Sequence, residues 1–283
     1  MQTQLLSRPT LFSHLRALYA VGHRSWKQYW RYPLNALSFV FEPISWIAPI
    51  YFMGLAFSVN GKAIGFAQYS GTTDFISFTL LGAAVANFIS SVFWGMGYSL
   101  KNDMDAGVME SNWLTPIPRL LFLIGTSLNG LAVTTITTAG MLLCGGLIFG
   151  LHVSGSLWLA LRPIVPMIIG LYGFGFAFAA LVMLLREANT LVDVGSSLVQ
   201  LFSGTSFPVN ALPKFLLPVA LALPFTYGLD AARSYLIGTT TILPIRWEMF
   251  LLVISMFAML WIGVASFRSL ERRVRRLGTL GQH

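Results

Sequence analysis

Six runs of apolar residues, separated by short polar or proline-rich breaks, organise this chain of 283 residues. Each run approaches or exceeds the roughly 20 helical residues needed to cross a hydrocarbon core. The first predicted span covers residues 34–59, with Pro43 and Pro49 placed to kink it. Residues 60–74 (NGKAIGFAQYSGTTD) read as a Gly-rich polar loop, and 75–99 as the second span. The third lies within 120–151, where Gly125, Gly130, Gly140, Gly146 and Gly150 would permit close helix packing. The fourth covers 163–185, and a tight polar turn at Arg186-Glu187-Ala188-Asn189 leads into a fifth, from Leu191 to about Phe207.

The pattern then changes. Pro208, Pro213, Pro218 and Pro224 cut the next stretch into pieces at 214–223 and 225–237, too short to cross a bilayer and of the length expected for re-entrant or interfacial helices. A sixth span at 249–267 precedes a basic tail, residues 268–283. Ahead of the first span, 10–31 has helical periodicity. Leu11, Leu15, Leu18, Tyr19, Trp26 and Tyr29 fall on one face and Arg16, His23, Lys27 and Arg31 on another, the pattern of a helix lying in a membrane surface. The fold expected is therefore an all-α polytopic membrane protein. It has an N-terminal segment 1–33 with an amphipathic interfacial helix, a six-helix domain 34–267 with re-entrant helices at about 208–238, and a basic tail.

Composition narrows the class. The chain is 55% hydrophobic and 10% charged, against about 25% charged residues in soluble domains. The net charge of +8 does not point to nucleic acid, because the basic residues flank apolar runs. Of eighteen Lys and Arg, only Lys62, Arg162, Lys214, Arg233 and Arg246 fall on the side opposite the termini. The positive-inside rule thus predicts a plasma-membrane protein with both termini cytoplasmic and the broken helices facing outward. The first apolar run is far longer than the h-region of a cleavable signal peptide. Cys144 is the one cysteine, and His14, His23, His152 and His283 match no ligand spacing, so no metal site is expected.

Between the second and third spans, residues 100–119 form a polar loop holding Asp103, Asp105 and Glu110, three of the chain's ten carboxylates. A short helix from Asp105 to Trp113 is expected, ending at Thr115-Pro116-Ile117-Pro118, with Trp113 and Leu114 at the lipid boundary. It is either a handle for a partner protein or an ordinary solvated connection. Polar residues also recur at helical spacing inside three spans: Asn35, Ser38, Glu42 and Ser45; Asn87, Ser91, Trp94 and Tyr98; Asp193, Ser197, Gln200 and Gly204. Such stripes either pack helices together or line a watery path, and ionisable members such as Glu42 and Asp193 are costly in lipid. Asp230 and Arg233 lie three residues apart on a broken helix and could pair. The chain has no G-x-x-x-x-G-K-[ST] and no nucleophile–base constellation, so it is expected neither to hold ATP nor to catalyse a reaction by itself.

In order and position these features resemble the permease subunit of the type-2 ABC exporter family, over nearly the whole length. Gly107-x-x-Glu110 followed by Leu114-Thr115-Pro116-Ile117 is similar to that family's coupling-helix run. Ser203-Gly204, Phe207-Pro208, Leu212-Pro213, Pro224, Tyr227, Asp230, Arg233 and Gly238 are similar to its outer segment. The resemblance implies a separate ATP-binding subunit carrying ATP and magnesium, and a second copy of this chain or a related permease beside it. It further implies coupling through Asp105, Gly107, Glu110, Trp113, Thr115 and Pro116, and a path lined from the second and fifth spans by Asn87, Ser91, Trp94, Tyr98, Asp193, Ser197 and Gln200. The role of Glu42, placed with the path, falls outside the family pattern. Phe207, Pro208, Pro213, Asp230 and Arg233 would form an outer gate. The Phe-rich spans favour an amphipathic, drug-like or lipid-like cargo, with a lipid-linked saccharide as alternative. A proton-driven carrier using Glu42 and Asp193 is the rival reading; a membrane-embedded enzyme would need His- or carboxylate-rich motifs that are absent.

Overall fold

The computed structural model describes residues 22–23, 26–27, 30–31, 33–58, 63–98, 119–185 and 188–277. Among them every regular element is helical. The order is α1 (Pro33–Ala56), α2 (Ile64–Ser70), α3 (Phe75–Val92) and α4 (Arg119–Gly145), then α5 (Leu157–Leu185), α6 (Ala188–Phe202), α7 (Leu217–Ala222), α8 (Pro224–Ile237) and α9 (Ile245–Leu277). Wide π turns extend α3 through Phe93–Tyr98 and α4 through Gly146–Gly150. Four stretches are long and apolar enough to cross a membrane: Phe75–Gly97, Ile124–Gly150, Leu157–Val182 and Ile245–Leu270. Most of the amphipathic segment expected at 10–31, and all of the loop at 100–118, lie outside the described residues.

Three elements depart from the sequence reading. The loop at 60–74 contains α2, because Phe66 inserts its ring edge-on between Phe75 (5.2 Å) and Phe78 (5.0 Å). Helix α5 starts six residues before Pro163 and carries both Pro163 and Pro166, as membrane helices can when neighbours satisfy the freed carbonyls. Helix α9 runs to Leu277, through most of the Arg-rich segment assigned to the tail, whose Arg, Leu and Glu residues are good helix formers.

Helix α3 is the spine. Asp74 caps its start, its carboxylate accepting the Ser77 N–H at 3.0 Å. Phe78 and Leu81 pack with Ala160, Leu236 and Ile237, while Leu80 and Ala84 pack with Ile44, Ile47 and Met141. Val85 through Met96 join the largest core, with Met167, Leu171, Phe178, Val192, Phe225 and Leu252 among its members. Phe93 is fully buried there, 4.4 Å from the Phe178 ring and 5.6 Å from Phe174. The broadest helix contact is α5 against α9. It depends on absent side chains: a methyl on Gly263 would strike the Gly173 carbonyl.

Gly263→Ala should therefore lower the thermal midpoint of the detergent-purified chain, with an overpacking cost of about 1–3 kcal/mol. Gly65→Ala, whose new methyl meets open space, should not; equal midpoints for wild type and Gly263→Ala would show that the two backbones do not touch.

Candidate functional site

Helix α6 ends at Phe202, and two residues on stands Gly204, whose φ of 71° lies in the left-handed region that glycine enters without penalty. The chain then turns through Thr205–Phe207 into a single 3₁₀ turn, Val209–Ala211, and the short α7. Every interruption of this kind frees backbone carbonyls that lipid cannot satisfy. Arg233 of α8 takes up several of them. Its Nη1 donates to Gly204 O at 2.7 Å, and its Nη2 to Thr205 O at 2.8 Å and Phe78 O at 2.9 Å. The guanidinium carbon lies 3.4 Å from the centre of the Phe78 ring, and the side chain is buried. A planar fork of donors that also stacks on an aromatic face suits this position, and lysine offers neither property. The approach is close enough that a methyl on Gly82 would strike Thr205 O.

The C-terminal end of α8 is sealed in the same way. Gly238 closes it in the left-handed conformation, and the N–H groups of Ser154, Gly155 and Ser156 donate to Leu236 O (3.1 and 3.0 Å) and Tyr235 O (3.1 Å). Beyond it, the segment 238–244 is held by two carboxylates. Asp230 Oδ2 accepts the Ile242 N–H at 2.8 Å, and Glu248 Oε1 accepts the adjacent Leu243 N–H at 3.0 Å. Glu248 is fully buried and its Oε2 has no hydrogen-bond partner. The pairing of Asp230 with Arg233 suggested by their spacing is replaced by these backbone bonds, although their charges still attract across the turn.

The remaining expected site residues divide by direction. Asn87 Nδ2 donates to Thr138 Oγ1 at 2.9 Å, Ser91 shares a short hydrogen bond with the Thr134 hydroxyl, and Gln200 Nε2 donates to Ser90 Oγ at 3.1 Å. These three therefore join α3 to α4 and α6 within one protomer. Glu42, Trp94, Asp193 and Ser197 are exposed on the protomer surface; Tyr98 ends the π turn, its side chain outside the description. Phe207 is half-buried, Pro208 buried and Pro213 exposed. Asp105, Gly107, Glu110, Trp113, Thr115 and Pro116 lie outside the described residues. Sequence reasoning missed Phe78, Gly82, Thr134, Thr138 and Glu248. Only Glu248 had a usable signal: a carboxylate at the start of the last apolar run is unusual enough to mark a site.

Four apolar spans and broken helices with satisfied ends are the build of a multi-pass membrane protein. The chain belongs to the ABC-2 type transporter family, which matches residues 16–237. It is 29% identical over 206 residues to the probable doxorubicin resistance ABC transporter permease protein DrrC of Mycobacterium tuberculosis strain CDC 1551 / Oshkosh, and equally to that of strain ATCC 25618 / H37Rv. Each alignment covers 70% of this chain and 71% of the relative.

Two substitutions check the site. Arg233→Met would strand buried carbonyls at about 1–3 kcal/mol each, so the detergent midpoint should fall well below wild type; an unchanged midpoint would remove Arg233 from its structural role. In a double-mutant cycle of Asn87→Ala and Thr138→Ala, the coupling measured by reversible unfolding should be about 0.6 kcal/mol and below about 1.7 kcal/mol, the range for hydrogen bonds between membrane helices.

Proposed function

We propose that this chain is the membrane half of an ATP-driven exporter that moves an amphipathic, drug-like or lipid-like cargo outward from the cytoplasm or inner leaflet. The observation that carries the reading is the ABC-2 family match across residues 16–237, from the N-terminal segment through α8. The relative named for doxorubicin resistance favours a drug-like cargo over a lipid-linked saccharide. In this reading α1 and α6 complete a six-span bundle with the four long apolar helices. Both termini and the loop 100–119 face the cytoplasm, a reading that the clustering of Lys and Arg on that side supports.

A separate subunit binds ATP and magnesium. Its closure pushes the loop at Asp105, Gly107, Glu110, Trp113, Thr115 and Pro116, and the push enters α3 through the π turn at Phe93–Tyr98. A second copy of the chain, or a related permease, covers the exposed face of α6, where Asp193 and Ser197 lie beside Val194, Leu198 and Leu201. The path runs between the two copies, with Glu42 and Trp94 on exposed faces that can reach it. Phe207, Pro208 and Pro213, braced by Asp230 and Arg233, form the outer gate.

Purification from native membranes in mild detergent should bring down a stoichiometric P-loop ATPase. Glu110→Arg should abolish cargo-stimulated ATP hydrolysis and transport while leaving insertion and dimerisation intact. Transport that proceeds without an ATPase and collapses with the proton gradient would overturn the exporter reading in favour of a gradient-driven carrier.

A further inference from the structure

In the scheme above Asp230 of α8 only braces the gate, and Glu248, at the start of α9, has no part. Asp230 and Glu248 accept hydrogen bonds from consecutive backbone amides, Ile242 and Leu243, and the two side chains meet within hydrogen-bonding reach of each other. Glu248 is fully buried and Asp230 half-buried, so two ionised carboxylates here would repel each other in a low dielectric at a high cost. The compensating charge is inadequate. Among the described residues Arg233 is the one cation buried nearby, and its Nη groups are spent on the carbonyls of Phe78, Gly204 and Thr205. Glu248 Oε2 receives no donor although the side chain is fully buried.

The other groups around the pair do not fill the gap. On α8, Tyr227 gives its hydroxyl hydrogen to Leu221 O at 2.7 Å, and Tyr235 stands on the same helix. On α9, Arg246 is exposed; on α5, Arg162 is exposed and Tyr172 is half-buried. At the near end of α3, the Asp74 carboxylate caps the helix. The segment 238–244 and helix α7 contribute no titratable side chain.

We propose that Asp230 and Glu248 form a proton-binding site, holding one proton between them and using it to clasp the segment 238–244 against α8 and α9. A proton on Oε2 supplies the missing hydrogen bond and removes one of two like charges. Carboxyl pairs that share a proton in this way titrate as a unit. The clasp is then tightest with the proton bound and loosens as pH rises and the proton leaves for water. By the charge distribution this end of the bundle faces outward, so the site reads external pH. Segment 238–244 also holds α2, through Thr240 N to Ser70 O at 3.0 Å, so release would free the outer rim next to the proposed gate.

Infrared difference spectroscopy of the full chain in nanodiscs, titrated with pH, tests the site directly. A single buried carboxylic-acid band should be present at neutral pH, shift in D₂O, and be lost in both Glu248→Gln and Asp230→Asn. As a second measurement, a Thr239→Cys probe on a Cys144→Ser background, buried while the clasp is closed, should gain labelling severalfold over an exposed Gly65→Cys reference as external pH rises, the reference cancelling the pH dependence of the thiolate itself. Glu248→Gln, a neutral isostere, should hold that ratio at its low value at every pH; Asp230→Asn serves if that variant does not accumulate. No acid band in the folded protein, a band surviving both substitutions, or a pH-independent ratio in the chain with both carboxylates intact would overturn the site. None of these readouts needs an ATPase partner, so failure of the proton site and failure of the exporter reading are separable.

Discussion

A helix interrupted inside a membrane leaves carbonyl groups that neither lipid nor water can satisfy, and this region of the structure is arranged around that constraint. The turn after α6 is answered by Arg233, and the C-terminal end of α8 by three consecutive amides of residues 154–156. The amides of Ile242 and Leu243 are answered by Asp230 and Glu248. Two buried ionisable side chains, Arg233 and Glu248, and a half-buried one, Asp230, would be a liability in a bilayer if they served only one another. Here each is tied to the main chain, so its hydrogen bonds offset much of the cost of its own burial.

The polar stripes inside the spans follow the same economy in part. Asn87, Ser91 and Gln200 look equivalent to Asp193 and Ser197 when read at helical spacing. Their partners separate them: the first three meet Thr138, Thr134 and Ser90 on neighbouring helices, while Asp193 and Ser197 remain on the exposed face of α6. Hydrogen bonds between membrane helices are modest in strength, so the α3–α4 and α3–α6 contacts can rearrange without unfolding the bundle. The crossing of α5 and α9, set by glycine backbones in contact, is far less forgiving.

The four long apolar spans were legible in the sequence because long apolar runs have few alternatives in water. Helix α2 was not, since seven residues (IGFAQYS) carry too little periodicity and depend on Phe66 finding Phe75 and Phe78. The early start of α5 was hidden by Pro163 and Pro166, which punctuate helices in water and are tolerated where neighbouring helices take up the freed carbonyls. At the site, the proline-broken segment and the special status of Asp230 and Arg233 were readable. Their partners were not: Gly204 O, Thr205 O and Phe78 O are backbone atoms, and no residue type announces a carbonyl that will be left over. Thr134 and Thr138 stayed hidden for a related reason, since threonine is as common on a helix packed for shape as on one paired for polarity.

Helix α3 links the two ends of the molecule. Its Phe78 supplies both a carbonyl and a ring to Arg233, its middle shares cores with α1, α4 and α5, and its far end passes through the π turn at Phe93–Tyr98 toward the loop 99–118. A π turn carries a residue more per turn than an α-helix, so conversion between the two moves everything beyond it in register and rotation. Gly97 packs against Phe178 and Val192 whereas Gly95 faces open space, so one wall of this turn is fixed and the other free. In the exporter reading proposed above, a displacement entering from residues 99–118 would meet this turn before the core-packed part of α3 and, at the helix's other end, Phe78 beneath Arg233.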